Sequence, residues 1–259
     1  MPLIPFWLTC PGSRLGIADR AVAEPVDSLV RLLETTLTDA ALALGDYQTA
    51  RQQSGTNNKA QWMRDRDEKS GLMQGLEAQF GVDPFDHKKL GQLRAEAERQ
   101  FVERAFAAGR IPKQYTHRMP FLYARTFLSA ADTLTGTFDQ LATFDIARTA
   151  AEAALAAIAD AAPSLKHVRD SALHVEERVQ GKAYKRKMDL KPASANSPPT
   201  QRALMVDILS GDNFGNTIHD GHYAQVPVTA EFFALLVGTV QTFIDTLPWD
   251  GEPRVYPYF

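Results

Sequence analysis

The feature that most constrains this chain is a change in the spacing of its apolar residues. Up to about Gln180 they recur every three or four positions, and beyond Arg202 they alternate with a period near two. A helix buries a stripe of period 3.6 and a half-buried strand one of period 2, so a long helical part must precede a short mixed one. Val22, Val26, Leu29, Val30, Leu33, Leu37, Ala41 and Leu44 mark one long amphipathic helix reaching about Gln53, with Pro25 accommodated in its first turn. Ser54-Gly55-Thr56-Asn57-Asn58 breaks it, and a charged stretch around Trp62 and Met63 leads into a second helical segment ending near Phe80-Gly81. After Asp83-Pro84, the residues Leu90, Leu93, Ala97, Phe101, Ala105 and Ala108 predict a third helix that stops at Gly109.

Ile111-Pro112 and Met119-Pro120 bracket an expected loop, followed by helices from Phe121 to Leu134 and from Phe138 to Ala161, the latter rich in alanine and stopped by Pro163. Ser164 is the expected N-cap of a last bundle helix running to Gln180, with Gly181 as its stop. Residues 182–202 are basic and then rich in Pro, Ser, Ala and Asn, which predicts an exposed linker. Ala203–Leu209, a run ending at Asp220-Gly221, and His222–Val228 predict a three-stranded antiparallel meander, with Asp220-Gly221 as a two-residue hairpin turn. Thr229 caps a terminal helix through Phe232, Phe233, Leu236, Val240, Phe243 and Leu247, which Pro248 ends. The expected fold is mainly α: a helical bundle over 1–181 with 1–20 as an N-terminal arm, then the linker, then a meander and helix over 203–259 packed on the bundle as one domain. The aromatic terminus of Trp249, Tyr256, Tyr258 and Phe259 either packs back or meets a partner.

Composition narrows the function. At 259 residues and 44% hydrophobic, the chain can bury a core without metal or disulfide staples. Cys10 is the single cysteine, so no intramolecular disulfide can form and a reducing, cytoplasmic setting is expected. The apolar opening Met1–Leu8 lacks a basic leader and is interrupted by Pro11-Gly12, and no apolar run is long enough for a membrane span. A net charge of −3 excludes a globally basic surface, so nucleic-acid binding must be local. Phosphate-binding glycine loops, the dinucleotide fingerprint, His-Glu-x-x-His and paired cysteines are absent from the sequence, which argues against common nucleotide hydrolases, dehydrogenases and zinc proteases. No cofactor is expected.

Chemistry concentrates on the helix expected over 164–180. Leu165, Val168, Ala172, Val175 and Val179 form one apolar stripe. Asp170, His174 and Arg178 follow each other at spacing four on the opposite face, joined by His167 one heptad before His174. Arg169 lies about 140° from His174 on a straight helix, so either its long side chain curls around or a second copy completes the site across a dimer. Arg169-Asp170-Ser171-Ala172-Leu173-His174 resembles the Arg-x(4–6)-His motif of the HEPN superfamily, in which a polar residue often follows the arginine, as Asp170 does. That resemblance implies a dimerising bundle of four or five helices. For many members it implies a metal-independent endoribonuclease with a role in toxin–antitoxin or defence systems, where an antitoxin or other protein is a partner. The stretch from Met119 to Asn216 also resembles an uncharacterised bacterial family, a likeness that adds no function.

Cleaving RNA without metal needs a proton taken from the 2′-hydroxyl, charge on the phosphate stabilised, and a proton given to the leaving oxygen. His174 suits the acid or base role, Arg169 the phosphate, and Asp170 the orientation of the imidazole. The same residues also fit a solvated helix face with ordinary i,i+4 pairs, or a bundle that binds a nucleotide or partner without cutting. Beyond this helix, Lys182, Tyr184, Lys185, Arg186, Lys187, Met188 and Lys191 form a basic run with an aromatic inside it. It suits a phosphate backbone with Tyr184 stacking on a base, or else a solvated linker. His219-Asp220-Gly221-His222 lacks the further ligands of a metal site and is read as a turn.

Overall fold

Most apolar stripes at helical spacing fold into helices, and the chain is mainly α. The computed structural model describes residues 3–54, 59–81, 83, 85–191 and 203–258. Short strands β1 (Leu8–Cys10) and β2 (Arg14–Leu15) precede α1 (Arg20–Ser54), α2 (Lys59–Phe80), α3 (His87–Ala107), α4 (Lys113–Leu141) and α5 (Arg148–Ala161). Then come α6 (Leu165–Leu173), the single turn α7 (Val175–Arg178), and the hairpin β3 (Lys182–Ala183) and β4 (Arg186–Lys187). The meander is β5 (Ile208–Ser210), β6 (Asn213–Thr217) and β7 (Tyr223–Pro227), followed by α8 (Ala230–Thr246), β8 (Trp249–Asp250) and β9 (Arg254–Tyr256). Among the described residues no helix is long and apolar enough to cross a membrane.

The chain divides into two compact units, Met1–Thr49 with Pro120–Phe259, and Ala50–Met119. In the smaller unit α2 packs on α3 through Leu76, Leu93 and Ala97, with Leu72 and Met73 beside them. Asp86 caps α3 by accepting from the Lys89 N–H at 3.0 Å. At its other end Gly109 (φ +68) closes a Schellman motif, with its N–H on Phe106 O and the Arg110 N–H on Ala105 O, both 2.9 Å. Arg110 lies over the Phe101 ring and pairs with Asp65 and Glu68.

In the larger unit, α1, α4, α5, α6 and α8 bury their apolar stripes in one core with the meander. Phe127 and Phe138 of α4 meet Phe232 and Phe243 of α8 edge-on, at 6.0 and 5.3 Å between ring centres. Each such side chain taken out of water contributes roughly 1.5–3 kcal/mol. Thr229 caps α8 through its hydroxyl, 3.1 Å from the Phe232 nitrogen. The chain ends pair with each other, β1 with β9 and β2 with β8, and Gln241 of α8 bonds both the N–H and the C=O of Thr9. Trp249 and Tyr256 therefore pack back: the indole donates to Ile244 O at 2.8 Å and the Tyr256 hydroxyl meets Thr38 at 2.7 Å. Tyr258 stays exposed, and Phe259 lies outside the described residues. A cleft of about 620 Å³ between α5 and α8, lined by Ala150, Ala153, Ala157, Gly238 and Thr239, holds none of the candidate site residues.

Several boundaries differ from expectation. The loop expected up to Pro120 is helix from Lys113, with Pro120 buried inside α4. Phe138 lies in the last turn of α4 rather than starting the next helix, because tight turns from Thr143 to Gln140 and Phe144 to Leu141 reverse the chain before α5. The helix expected to reach Gln180 stops at His174, whose ψ of 43° is not helical. Residues 182–191, expected as linker, carry a hairpin, and 192–202 lie outside the described residues. The Asp220-Gly221 turn is a three-residue loop instead: Gly221 donates to Ile218 O and has φ +87, while Asp220 does not adopt the positive φ that a type I′ turn demands. A Cβ on Gly221 would strike the Asp189 carbonyl, so glycine is required there by close approach as well as by conformation.

Candidate functional site

α6 forms because Leu165, Val168 and Ala172 sit at helical spacing and are buried, packing the helix on β6 and β7. Its outer side carries His167, Arg169 and Asp170. Arg169 does not curl toward His174: one terminal nitrogen makes a close ion pair with Asp132 of α4, and the other lies 2.9 Å from Asp170. Only a quarter of the Arg169 side chain is exposed, so its charge is balanced by two carboxylates within one copy. Asp170 thus spends its carboxylate on Arg169, and it is its backbone C=O that meets His174, accepting from that N–H at 3.0 Å. The imidazole of His174 is 59% exposed, with Nδ1 3.7 Å from Glu176.

The helix break at His174 also moves Arg178. Expected on the polar face, it is buried, donating to Ser171 Oγ at 3.2 Å and to the Lys182 carbonyl at 2.8 Å. The guanidinium satisfies the chain where it leaves α7, whereas Val179, expected in the apolar stripe, is exposed. Arg178 therefore pins the start of the β3–β4 hairpin.

That hairpin presents the rest of the basic run. Ala183 and Met188 are buried at its base, and the Met188 N–H bonds Gly181 O at 2.8 Å. Tyr184 (φ +51) and Lys185 (φ +64) form its two-residue turn, with both central residues at positive φ. Non-glycine residues in that conformation cost energy, and here it thrusts Tyr184 outward, 68% exposed. Lys182 bonds Gln180 and Lys191 pairs with Asp189, but the side chains of Lys185, Arg186 and Lys187 make no ion pair among the described residues.

One juxtaposition is not legible locally in the sequence. The loop between β6 and β7 brings His219 against His167 of α6, with 4.7 Å between ring centres, and Tyr184 lies 6.0 Å from His219 on its other contact. The signal available in the sequence is only that His167 and His219 each lie near a turn or a polar face. Asp220 is held below the usual carboxylate range: burial raises its pKa, but the His222 backbone N–H and ring and the nearby His219 outweigh it. Among the described residues no group of three or more His, Cys, Asp or Glu side chains gathers to hold a metal. No family model matches this chain, and neither a curated protein nor a solved structure matches it.

Proposed function

We propose that this protein is a metal-independent endoribonuclease of the HEPN type that takes single-stranded RNA against the β3–β4 hairpin. The observation that carries the reading is that the side chains of Lys185, Arg186 and Lys187 make no ion pair among the described residues, beside exposed Tyr184. A single strand needs cations that track its phosphates and an aromatic face for its bases, and this hairpin supplies both. Lys182, Tyr184, Lys185 and Arg186 are the substrate-binding residues. His174 moves the proton, Arg169 holds the scissile phosphate and Asp170 orients the site. In one copy Arg169 reaches a phosphate only by exchanging Asp132 for it, which fits a homodimer whose second copy completes the group. A cytoplasmic toxin–antitoxin or defence role, with an antitoxin as partner, follows from the same likeness.

The second reading is a HEPN-like bundle that binds a nucleotide or a protein without cutting. The full ion pairing of Arg169 favours it. Labelled single-stranded RNA in excess chelator separates the two. Cleavage by the wild type that falls about 10²–10⁴-fold in His174→Ala supports the ribonuclease. RNA bound and left intact by both proteins overturns it in favour of the second reading.

A further inference from the structure

We propose that His167, His219 and Tyr184 form a nucleobase-binding subsite for single-stranded RNA, with Lys185 and Arg186 on the adjoining phosphates. The subsite rests on the RNA-binding part of the proposed function, and not on cleavage. Three segments far apart in sequence supply the three rings: α6, the β6–β7 loop and the turn of the β3–β4 hairpin. Rings that meet only to fill a core are buried, whereas His167 and Tyr184 are exposed and His219 is half-buried.

The geometry resembles a pair of jaws. His219 touches His167 at 4.7 Å with the rings tilted by 46°, and it sits on a loop whose position is fixed by Gly221, which packs on the Asp189 carbonyl and accepts from the Lys191 N–H at 2.9 Å. Tyr184 approaches it from the hairpin tip, 6.0 Å away between ring centres and inclined at 58°. A planar base stacked between two rings needs them about 7 Å apart, twice a van der Waals separation. The wider spacing and parallel alignment that a base needs require a change in χ1 as well as χ2 of Tyr184, which its exposure at the hairpin tip allows. The strained turn gives an independent reason to assign function here: an Asn-Gly pair would make the same two-residue turn without strain, and the chain instead places Tyr184 and Lys185 in it. Every base has a π face, so the subsite tolerates sequence and sets where along the strand the RNA lies.

The test is the affinity of the full-length protein for a short labelled 2′-O-methyl RNA, which lacks the hydroxyl needed for self-cleavage and so reads binding alone. His219→Ala and Tyr184→Ala are each expected to weaken binding about 5- to 100-fold, the range for losing one stacked base, and His167→Ala by less. Tyr184→Phe keeps the wild-type affinity, because the ring and not the hydroxyl does the stacking. An RNA with one abasic position at the subsite binds weakly and is no longer sensitive to His219→Ala. Equal affinity of wild type, His219→Ala and Tyr184→Ala overturns the subsite while leaving RNA binding by the hairpin cations intact. Absence of any RNA binding by the wild type overturns both. Binding without cleavage of ordinary RNA removes the ribonuclease reading and leaves the subsite standing.

Discussion

Two clusters of charge lie next to each other in the chain and differ in one respect. Around Arg169 the charges are matched: the guanidinium holds Asp132 and Asp170 and ties α6 to α4. On the β3–β4 hairpin the side chains of Lys185, Arg186 and Lys187 have no ion-pair partner among the described residues, and Tyr184 stands in solvent at a strained backbone position. Balanced charge at a partly buried site serves packing first, because removing either partner strands the other. Unbalanced charge on a surface hairpin contributes little to folding and is free for a ligand. Substitutions in the first cluster should therefore be read in stability, and those in the second in binding.

The strongest case of balanced charge is Glu34, 4% exposed between the Arg254 guanidinium at 2.6 Å and the Cys10 thiol at 3.4 Å. Arg254→Ala leaves a carboxylate buried without its cation and should cost about 2–4 kcal/mol, measured as a lowered urea midpoint at unchanged slope. A loss below about 0.5 kcal/mol would show that water reaches Glu34. The same site predicts a chemical readout. Burial, with Glu34 adding to it against the opposing pull of Arg254, pushes the Cys10 thiol up to about 11. A raised thiol pKa leaves little thiolate at pH 8, so native Cys10 resists iodoacetamide and reacts once urea unfolds the chain.

Next in size is Arg169→Ala, expected to lower stability by about 1–3 kcal/mol by stranding Asp132. A double-mutant cycle with Asp132→Ala should show coupling of at least about 0.5 kcal/mol, and additivity would break the view that Arg169 is a clasp between α6 and α4. Loss of RNA cleavage without loss of stability would instead move Arg169 from the balanced cluster to the catalytic one.

The sequence discloses the parts of this comparison unequally. Helix positions follow from period 3.6, the meander from period 2, and the Thr229 cap and the Gly109 stop from local backbone bonds, because each depends on neighbours within a few residues. The partners of Arg169 do not all follow: Asp132 lies on another helix, and nothing in the spacing within α6 reveals it. Arg178 escapes for a related reason. Helical periodicity puts it on a polar face, whereas the break at His174 turns it inward to satisfy Ser171 and the Lys182 carbonyl. The β3–β4 hairpin is hidden because Tyr184-Lys185 is an unfavourable pair for its turn, so turn chemistry points to linker. Where local preference and tertiary structure disagree, as at Tyr184, the disagreement itself marks a place to look for function.

The smallest effect on folding and the clearest on binding are expected from the hairpin. Replacing Lys185, Arg186 and Lys187 together with alanine removes three charges that pair with no carboxylate among the described residues, so stability should change by no more than about 0.5 kcal/mol. For a single-stranded RNA, each phosphate neutralised by a cation adds about 0.7 to the steepness of log affinity against log salt, so the triple variant should lose about 2 from that slope. Tyr184→Ala, by contrast, should weaken RNA binding with the slope unchanged, because stacking releases no counterions. A triple variant that unfolds would mean that these cations do have partners in the fold, and a slope unchanged from wild type would mean that RNA does not run along this hairpin. The two readouts sort phosphate binding from base stacking on one surface, and neither depends on whether the RNA is cut.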